Sequence, residues 1–326
     1  MQASIRVPAL AAGLTAFALA AGAANVQAAW PEQPITIVVP TAPGGGNDAF
    51  ARVIAQKMGE HLKQTIIVVN KAGAQGAIAS EFVARAPGDG YTLLFGYIAT
   101  HGINPALQKL RYDPVKDFKP IGMLASSPTL LVVSSTAGVN SVQELIAKAK
   151  KDPQSLSYAS AGVGTAPHVT AELFKMVTGI NMLHVPYKGS APAMTDTLAG
   201  TTQVMFPSLF SAYPHLSTGR IKALALAGDR RSEVLKDVPT LEELGIKGVS
   251  VPQWYALFAP ASTDQAIVNR LNEVLNASLR DPEVIAKFKE QGADPQSSTP
   301  EQLGEFVKSE VARWRKVVET AKITAD

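Results

Sequence analysis

Pro34-Ile35-Thr36-Ile37-Val38-Val39-Pro40-Thr41-Ala42-Pro43-Gly44-Gly45-Gly46-Asn47-Asp48 is the stretch on which the reading of this chain turns. A β-branched run closed by proline at both ends reads as a buried strand. Three glycines then lead into a segment that sets Phe50, Val53, Ile54, Met58 and Leu62 at helical spacing. Strand, glycine turn and helix make the first half of a βαβ unit, and the unit recurs. Ile66 to Val69 is a second strand, followed by a Gly/Ala segment and a helix through Phe82 and Val83, and Tyr91 to Phe95 is a third strand. Consecutive units of this kind predict an α/β fold, with a parallel sheet covered by helices on both faces.

The pattern restarts after a strand at Leu130 to Val133. A helix over Val142 to Lys150, a strand at Ser157 to Ser160 and a helix over Pro167 to Val177 follow. Further strands are expected at Met182 to Val185, Val204 to Phe206, Ile221 to Leu226 and Gln253 to Phe258. Thr240 with Glu243 reads as a capping box for a short helix ending at Gly245. Ile267, Leu271, Val274 and Leu275 mark one late helix, and Leu303, Phe306, Val307, Trp314 and Val317 another. No Pro- or Ser-rich linker separates two halves, so the chain is expected to cross between two α/β lobes more than once. The crossings are placed near Ser126–Thr129 and Pro252–Tyr255. That gives a first lobe of residues 29–127 plus 254–326, and a second lobe of residues 128–253.

Composition narrows the function. With 326 residues the chain is long enough for about two domains. Thirty Lys+Arg against 27 Asp+Glu, for a net charge of +3, carry no nucleic-acid footprint, and no run of like charges forms a basic arm. The absence of Cys rules out disulfides, thiol nucleophiles, Cys-ligated zinc and iron–sulfur clusters. At the N-terminus, Arg6 precedes an apolar stretch from about Leu10 to Ala24, which ends in the small residues Val26-Gln27-Ala28-Ala29. These are the parts of a secretory signal cut after Ala28, and the apolar stretch is shorter than the ~20 residues of a spanning helix. A signal peptide over residues 1–28 implies an exported protein with no permanent membrane anchor.

In open α/β sheets ligands sit at the carboxyl ends of strands. Three loops there are rich in glycine: Pro40–Asp48, Asn70–Ala77 and Ser160–His168, each opening a helix. Glycine lets backbone N–H groups approach a ligand, and a helix start adds partial positive charge, so such loops suit an anion. Two of them in different lobes would face each other across a cleft. Asp48 is awkward there, because a carboxylate in the first turn competes with a bound anion; capping or loop-fixing is its expected role. Enzyme signatures are missing: the sequence contains no G-x-x-x-x-G-K-[ST], G-x-S-x-G or H-E-x-x-H. The five histidines show no metal-like spacing. His61 reads as solvated, His184 and His215 as structural, and His101 and His168 as cleft residues. Lys188 opens another helix and could meet an acid or solvent equally well.

Taken together, these segments resemble the extracytoplasmic solute receptors of tripartite tricarboxylate transporters, the Bug family. The matching stretches include Pro40–Asp48, Asn70–Gly76, Pro87–Leu94, Asn104-Pro105, Ser160–His168, Val185–Gly189, Gly219–Ala225, Val238–Gly245 and Trp254 before Ala259-Pro260. The resemblance implies a type II periplasmic binding fold, whose two lobes close over a small organic acid (a mono-, di- or tricarboxylate). It implies no enzyme, cofactor or metal, a monomer in the periplasm, and delivery to large and small integral membrane subunits. Loops matching Pro40–Gly46 and Asn70–Gly76 would hold one carboxylate, and that matching Ser160–Thr165 would complete the grip. Thr41 stands where an aromatic is common in the family. The expected ligand residues are Thr41, Ala42, Gly45, Gly46, Asn70, Gly73, Thr100, His101, Ser160, Gly162, Thr165, His168, Lys188 and Ser208, with Tyr97 near them. No arginine in these loops offers a carboxylate fork, since Arg52 lies a full turn into its helix; neutral N–H donors would carry binding. The rival readings are the same fold used as a sensor for a membrane kinase, and a periplasmic hydrolase.

Overall fold

The computed structural model describes residues 30–321 and Ile323, apart from residues 229 and 291. The expected signal peptide lies outside the described residues. The strands are β1 (Ile35–Val39), β2 (Ile66–Asn70), β3 (Thr92–Tyr97), β4 (Phe118–Ser127), β5 (Thr129–Ser134), β6 (Ser157–Ser160), β7 (Leu183–Pro186), β8 (Val204–Met205), β9 (Ile221–Ala227), β10 (Gln253–Pro260) and β11 (Asp294–Pro295). The helices are α1 (Gly46–Leu62), α2 (Ala77–Ala84), α3 (Asn104–Leu107), α4 (Val142–Lys151), α5 (Ala166–Thr178), α6 (Ser190–Ala199), α7 (Leu209–Leu216), α8 (Gln265–Leu279), α9 (Pro282–Lys289) and α10 (Pro300–Ala321).

Two mixed sheets form, ordered β11-β4-β10-β3-β1-β2 and β7-β6-β8-β5-β9. Their plans correspond strand for strand. β1 lies between β2 and β3, all parallel, and β6 lies between β7 and β8, all parallel. Antiparallel β10 then joins β3 to β4, as antiparallel β5 joins β8 to β9. Each sheet thus carries two strand–loop–helix units whose loops leave the same edge: β1–α1 and β2–α2 in the first, β6–α5 and β7–α6 in the second.

Burial follows the sequence pattern. Ile35, Ile37, Val38 and Val39 are buried, as are Phe50, Ile54 and Met58 on the inner stripe of α1. Pro128 alone separates β4 from β5, so the chain changes sheet within one residue. It returns through β10, and α8 and α10 pack on β4 of the first sheet. There the buried carboxylate of Glu310 accepts from Trp254 Nε1 at 2.8 Å and Trp314 Nε1 at 3.1 Å. An aromatic cluster ties the two sheets: Phe50 of α1 stacks on Phe210 of α7 at 3.8 Å and meets Phe288 edge-on at 4.8 Å.

One expectation needs correction, and several elements lie outside those expected. β4, a ten-residue strand that contains Lys119, Pro120 and Gly122, is one of these. It is tolerated because register shifts in β10, between Tyr255/Ala256 and Leu257/Phe258, take up the irregularity. The Thr240–Glu243 capping box does form, with bonds of 2.7 and 3.0 Å, yet only a turn follows it. α7 was also unforeseen, its Pro214 masking the helical pattern. Among the described residues no helix is long and apolar enough to cross a membrane.

Candidate functional site

The four equivalent loops meet. A methyl group placed on Gly45 would lie 3.8 Å from the Ala191 nitrogen, and one on Gly46 would lie 3.5 Å from Ser208 Oγ. From the opposite wall, Gly189 comes to 3.6 Å of Ala42, Gly162 to 3.8 Å of Gln75 Cγ, and Gly164 to 3.0 Å of Asn104 Oδ1, on the same measure. Gly45, Gly46, Gly162, Gly164 and Gly189 are consequently buried although each lies in a loop or at a helix start. Larger side chains here would hold the walls apart.

The helices that start in this crevice share an omission. α1, α2, α5 and α6 begin at Gly45, Gly76, Thr165 and Gly189, and no side chain caps any of them. Elsewhere, apart from the one-turn α3, caps are present: Ser141, Ser208, Asp264 and Asp281 accept from the first turns of α4, α7, α8 and α9. Thr299 and Gln302 form a reciprocal box at α10. Thr165 is a residue that ordinarily caps, but its hydroxyl donates to Gly162 O at 2.6 Å instead. The starts of α1, α5 and α6 leave N–H groups and partial positive charge at this contact, whereas α2 continues from a turn in which Gly73 O and Ala74 O accept from Gly76 N and Ala77 N.

In the first lobe an ion pair sets the loop. Arg52 reaches both oxygens of Asp48 at 3.0 Å, and Asp48 also accepts from Gly44 N and Asn70 Nδ2 at 3.0 Å. Asn70 Nδ2 further donates to Thr41 O at 3.0 Å. Burial alone would raise the pKa of Asp48. Hydrogen bonds from Arg52, Gly44 and Asn70, with the Arg52 charge, outweigh it and hold the carboxyl below its usual range. The carboxylate that looked hostile to an anion is therefore already neutralised. The second loop runs through positive φ at four consecutive residues, Gly73 (132°), Ala74 (44°), Gln75 (53°) and Gly76 (92°). Its strain is held by Gln75 O, which accepts from Asn104 Nδ2 at 3.0 Å and Tyr97 Oη at 3.4 Å.

In the second lobe imidazoles do this work. His168 Nδ1 accepts from Gly164 N at 3.2 Å. Ser160 Oγ lies 2.6 Å from His184 Nε2 and accepts from Gly162 N at 3.1 Å. The two rings stack at 4.5 Å. Burial pushes the pKa of His168 down, and burial with the His168 ring beside it takes His184 to about 4.

Of the residues expected from sequence, Ala42, Gly45, Gly46, Gly162 and Ser208 lie where the walls meet, and Gly73 and Thr165 lie in the loops that form them. Thr41 Oγ1 is buried and has no hydrogen-bond partner. Others move out of direct contact. Thr100 and His101 are sealed inside the first lobe: Thr100 Oγ1 bonds Tyr97 O and N, and His101 stacks on Phe258 at 4.0 Å. Asn70, Ser160 and His168 spend their polar atoms holding loops, and Lys188 is exposed. Sequence reasoning named the Asn70–Ala77 loop, the Asn104-Pro105 motif and the helix opened at Lys188, but not the bond from Asn104 Nδ2 to Gln75 O across 29 residues. Each lay in a stretch singled out from the sequence; the contact between the two stretches carries no local signal. Among the described residues no group of three His, Asp or Glu is placed to hold a metal.

The receptor model of the tripartite tricarboxylate transporter family matches residues 50–323. The chain is 35% identical over 292 residues to the protein BugT of Bordetella pertussis, covering 89% of each. Among solved structures, R. palustris Rpa4515 with adipate is similar at 37% identity and a TM-score of 0.88, covering 90% of this chain and 99% of that one. MatC from Rhodopseudomonas palustris with bound malate is similar at 34% identity and a TM-score of 0.85, covering 89% and 100%.

Proposed function

The chain belongs to the receptor family of the tripartite tricarboxylate transporters, and from that membership we propose that it captures a small organic carboxylate in the crevice and delivers it to the integral membrane subunits of such a transporter. Receptors of this family are periplasmic solute-binding proteins and not enzymes. The lobe limits read from sequence, 29–127 with 254–326 and 128–253, belong to this proposal, as does export by the N-terminal signal.

The observation that carries the reading is the meeting of glycine loops from both lobes at helix starts that no side chain caps. Arg52 is committed to Asp48, so backbone dipoles, not a guanidinium, meet the anion. A hydrogen bond to a charged group contributes about 1.5–3 kcal/mol. Two donors from one lobe thus supply about 3–6 kcal/mol, short of the ~8 kcal/mol of a micromolar complex, whereas donors from both reach it. Capture therefore requires closure. That Thr41 Oγ1 is buried and unpaired supports a role for Thr41 in choosing among carboxylates.

Thermal-shift measurement against a panel that includes adipate and L-malate tests this. At a hundredfold excess over Kd, a bound acid adds about 2.7 kcal/mol, a rise of roughly 5 °C for a chain of this size. A panel of mono-, di- and tricarboxylates that leaves Tm unmoved would overturn the substrate class. Uptake by a deletion strain tests the delivery step: intact uptake with lost signalling would favour a sensor.

A further inference from the structure

We propose that His168 is a positioning residue: its neutral ring holds the second-lobe loop in the shape that presents the bare start of α5, so that protonation of the ring removes one donor from the grip and makes capture pH-dependent. This rests on the carboxylate reading of the crevice.

The geometry fixes the tautomer. Nδ1 must offer a lone pair to Gly164 N–H at 3.2 Å, which places the ring proton on Nε2. A second proton can only go to Nδ1, where it would oppose the Gly164 N–H head-on and leave that donor without an acceptor. Gly164 has φ of +76° and lies against Asn104 of the first lobe, so its displacement reaches the contact between the walls. His168 is also the third residue of α5, where a positive ring opposes the helix dipole. The ring is 4% exposed. The groups facing it are Glu172 and Lys175 on its own helix, and from the sheet His184 of β7 and Tyr158 of β6, which stacks on His184 at 4.7 Å. Glu172 favours the proton, but its carboxylate is already taken by Tyr158 Oη at 2.5 Å and Lys175 Nζ at 2.9 Å. Burial prevails, and the ring resists protonation down to acidic pH. His184 is less critical. Protonated, it would still donate to Ser160 Oγ, which can accept it beside Gly162 N–H.

Two variants separate positioning from mere structure. In His168→Asn the side-chain oxygen takes the place of Nδ1 as acceptor and does not titrate; His168→Ala removes the acceptor. Binding of adipate and L-malate is measured by calorimetry for all three proteins from about pH 7.5 to 4.5. Using the ratio of wild type to His168→Asn at each pH cancels the titration of the acids themselves. The expected result is similar affinity for wild type and His168→Asn at neutral pH. At the acid end the wild type falls about tenfold further, the loss of one hydrogen bond, and His168→Ala is weak throughout. In ligand-free protein, ring 15N shifts should show the Nε2–H tautomer, and Gly164 amide protection, taken relative to the intrinsic exchange rate at each pH, should fall as the ring takes up its proton. A ring proton on Nδ1, Gly164 exchange indifferent to the titration, or identical pH profiles for wild type and His168→Asn would each overturn the proposal. Should neither acid bind at any pH, the carboxylate reading fails, and the ligand-free measurements still decide the role of His168.

Discussion

In the first lobe the glycine loop is tied down by full charges: Asp48, gripped by Arg52, accepts from Gly44 N and Asn70. In the second lobe the equivalent loop is tied down by uncharged rings, with His168 accepting from Gly164 N and His184 bonded to Ser160. Strand order, loop position and bare helix start correspond in the two, while the fastening chemistry is opposite. The shape of a glycine loop at a helix start can be kept by either means, provided that the fastening side chains keep clear of the helix N–H groups. The difference lies in what disturbs each. An ion pair answers to loss of a partner, and an imidazole acceptor to a change of pH.

The harshest way to break the comparison is Asp48→Ala. It strands Gly44 N–H, the Asn70 amide and Arg52 together, and should cost about 2–4 kcal/mol in urea unfolding. The lower end is expected because Arg52 is half exposed and can return to water. A loss below about 0.5 kcal/mol would mean that the ion pair holds nothing.

Acid sharpens the comparison next. Above about pH 6.5 His101, His168 and His184 are neutral whether the chain is folded or not. As pH falls, the unfolded chain takes up protons that the native one refuses, so stability declines. For His184 the decline runs until about pH 4, and for His101, whose burial takes it to about 3, further still. Each contributes about 1.4 kcal/mol per pH unit across its window. Asp48, whose native pKa is lowered, keeps its contribution until the pH drops below the ordinary carboxylate range near 3.8, and loses it only there. Amide protection, corrected for the intrinsic exchange rate at each pH, should therefore follow His168 at Gly164 and the Asp48 carboxylate at Gly44. Simultaneous loosening would erase the distinction between the lobes.

The smallest effect is expected from Thr41→Val. With Oγ1 unpaired in the free protein, stability should change by no more than about 0.5 kcal/mol. Carboxylate affinity should fall about three- to tenfold, the worth of one hydroxyl bond. Unchanged affinity would remove Thr41 from the site.

Much of this was legible in the sequence wherever the signal is local. Proline-bounded β-branched runs gave β1, and glycine between strand and helix marked the loops that meet. The Thr240–Glu243 box was read correctly as a pair of bonds, though not as the turn it serves. What escaped depended on distant partners. β4 survives Pro120 only because β10 shifts its register. Asn70 looks like a ligand residue until Asp48, 22 positions away, is seen to occupy its amide. His101 sits beside loop residues in sequence but turns inward to Phe258. The direction in which a polar side chain points is decided by packing, and packing is not written in any window of neighbouring letters.

The uncapped helix starts bear on unloading as much as on capture. Amide dipoles compete poorly with water for an anion once solvent reaches them, because bulk water offers equivalent donors. A cargo held by a guanidinium would stay salt-bridged through part of the swing. One held by peptide groups loses its hold as soon as the jaws part and the space floods. On the proposed function, hand-over would then need no separate trigger: parting the lobes would itself set the cargo free.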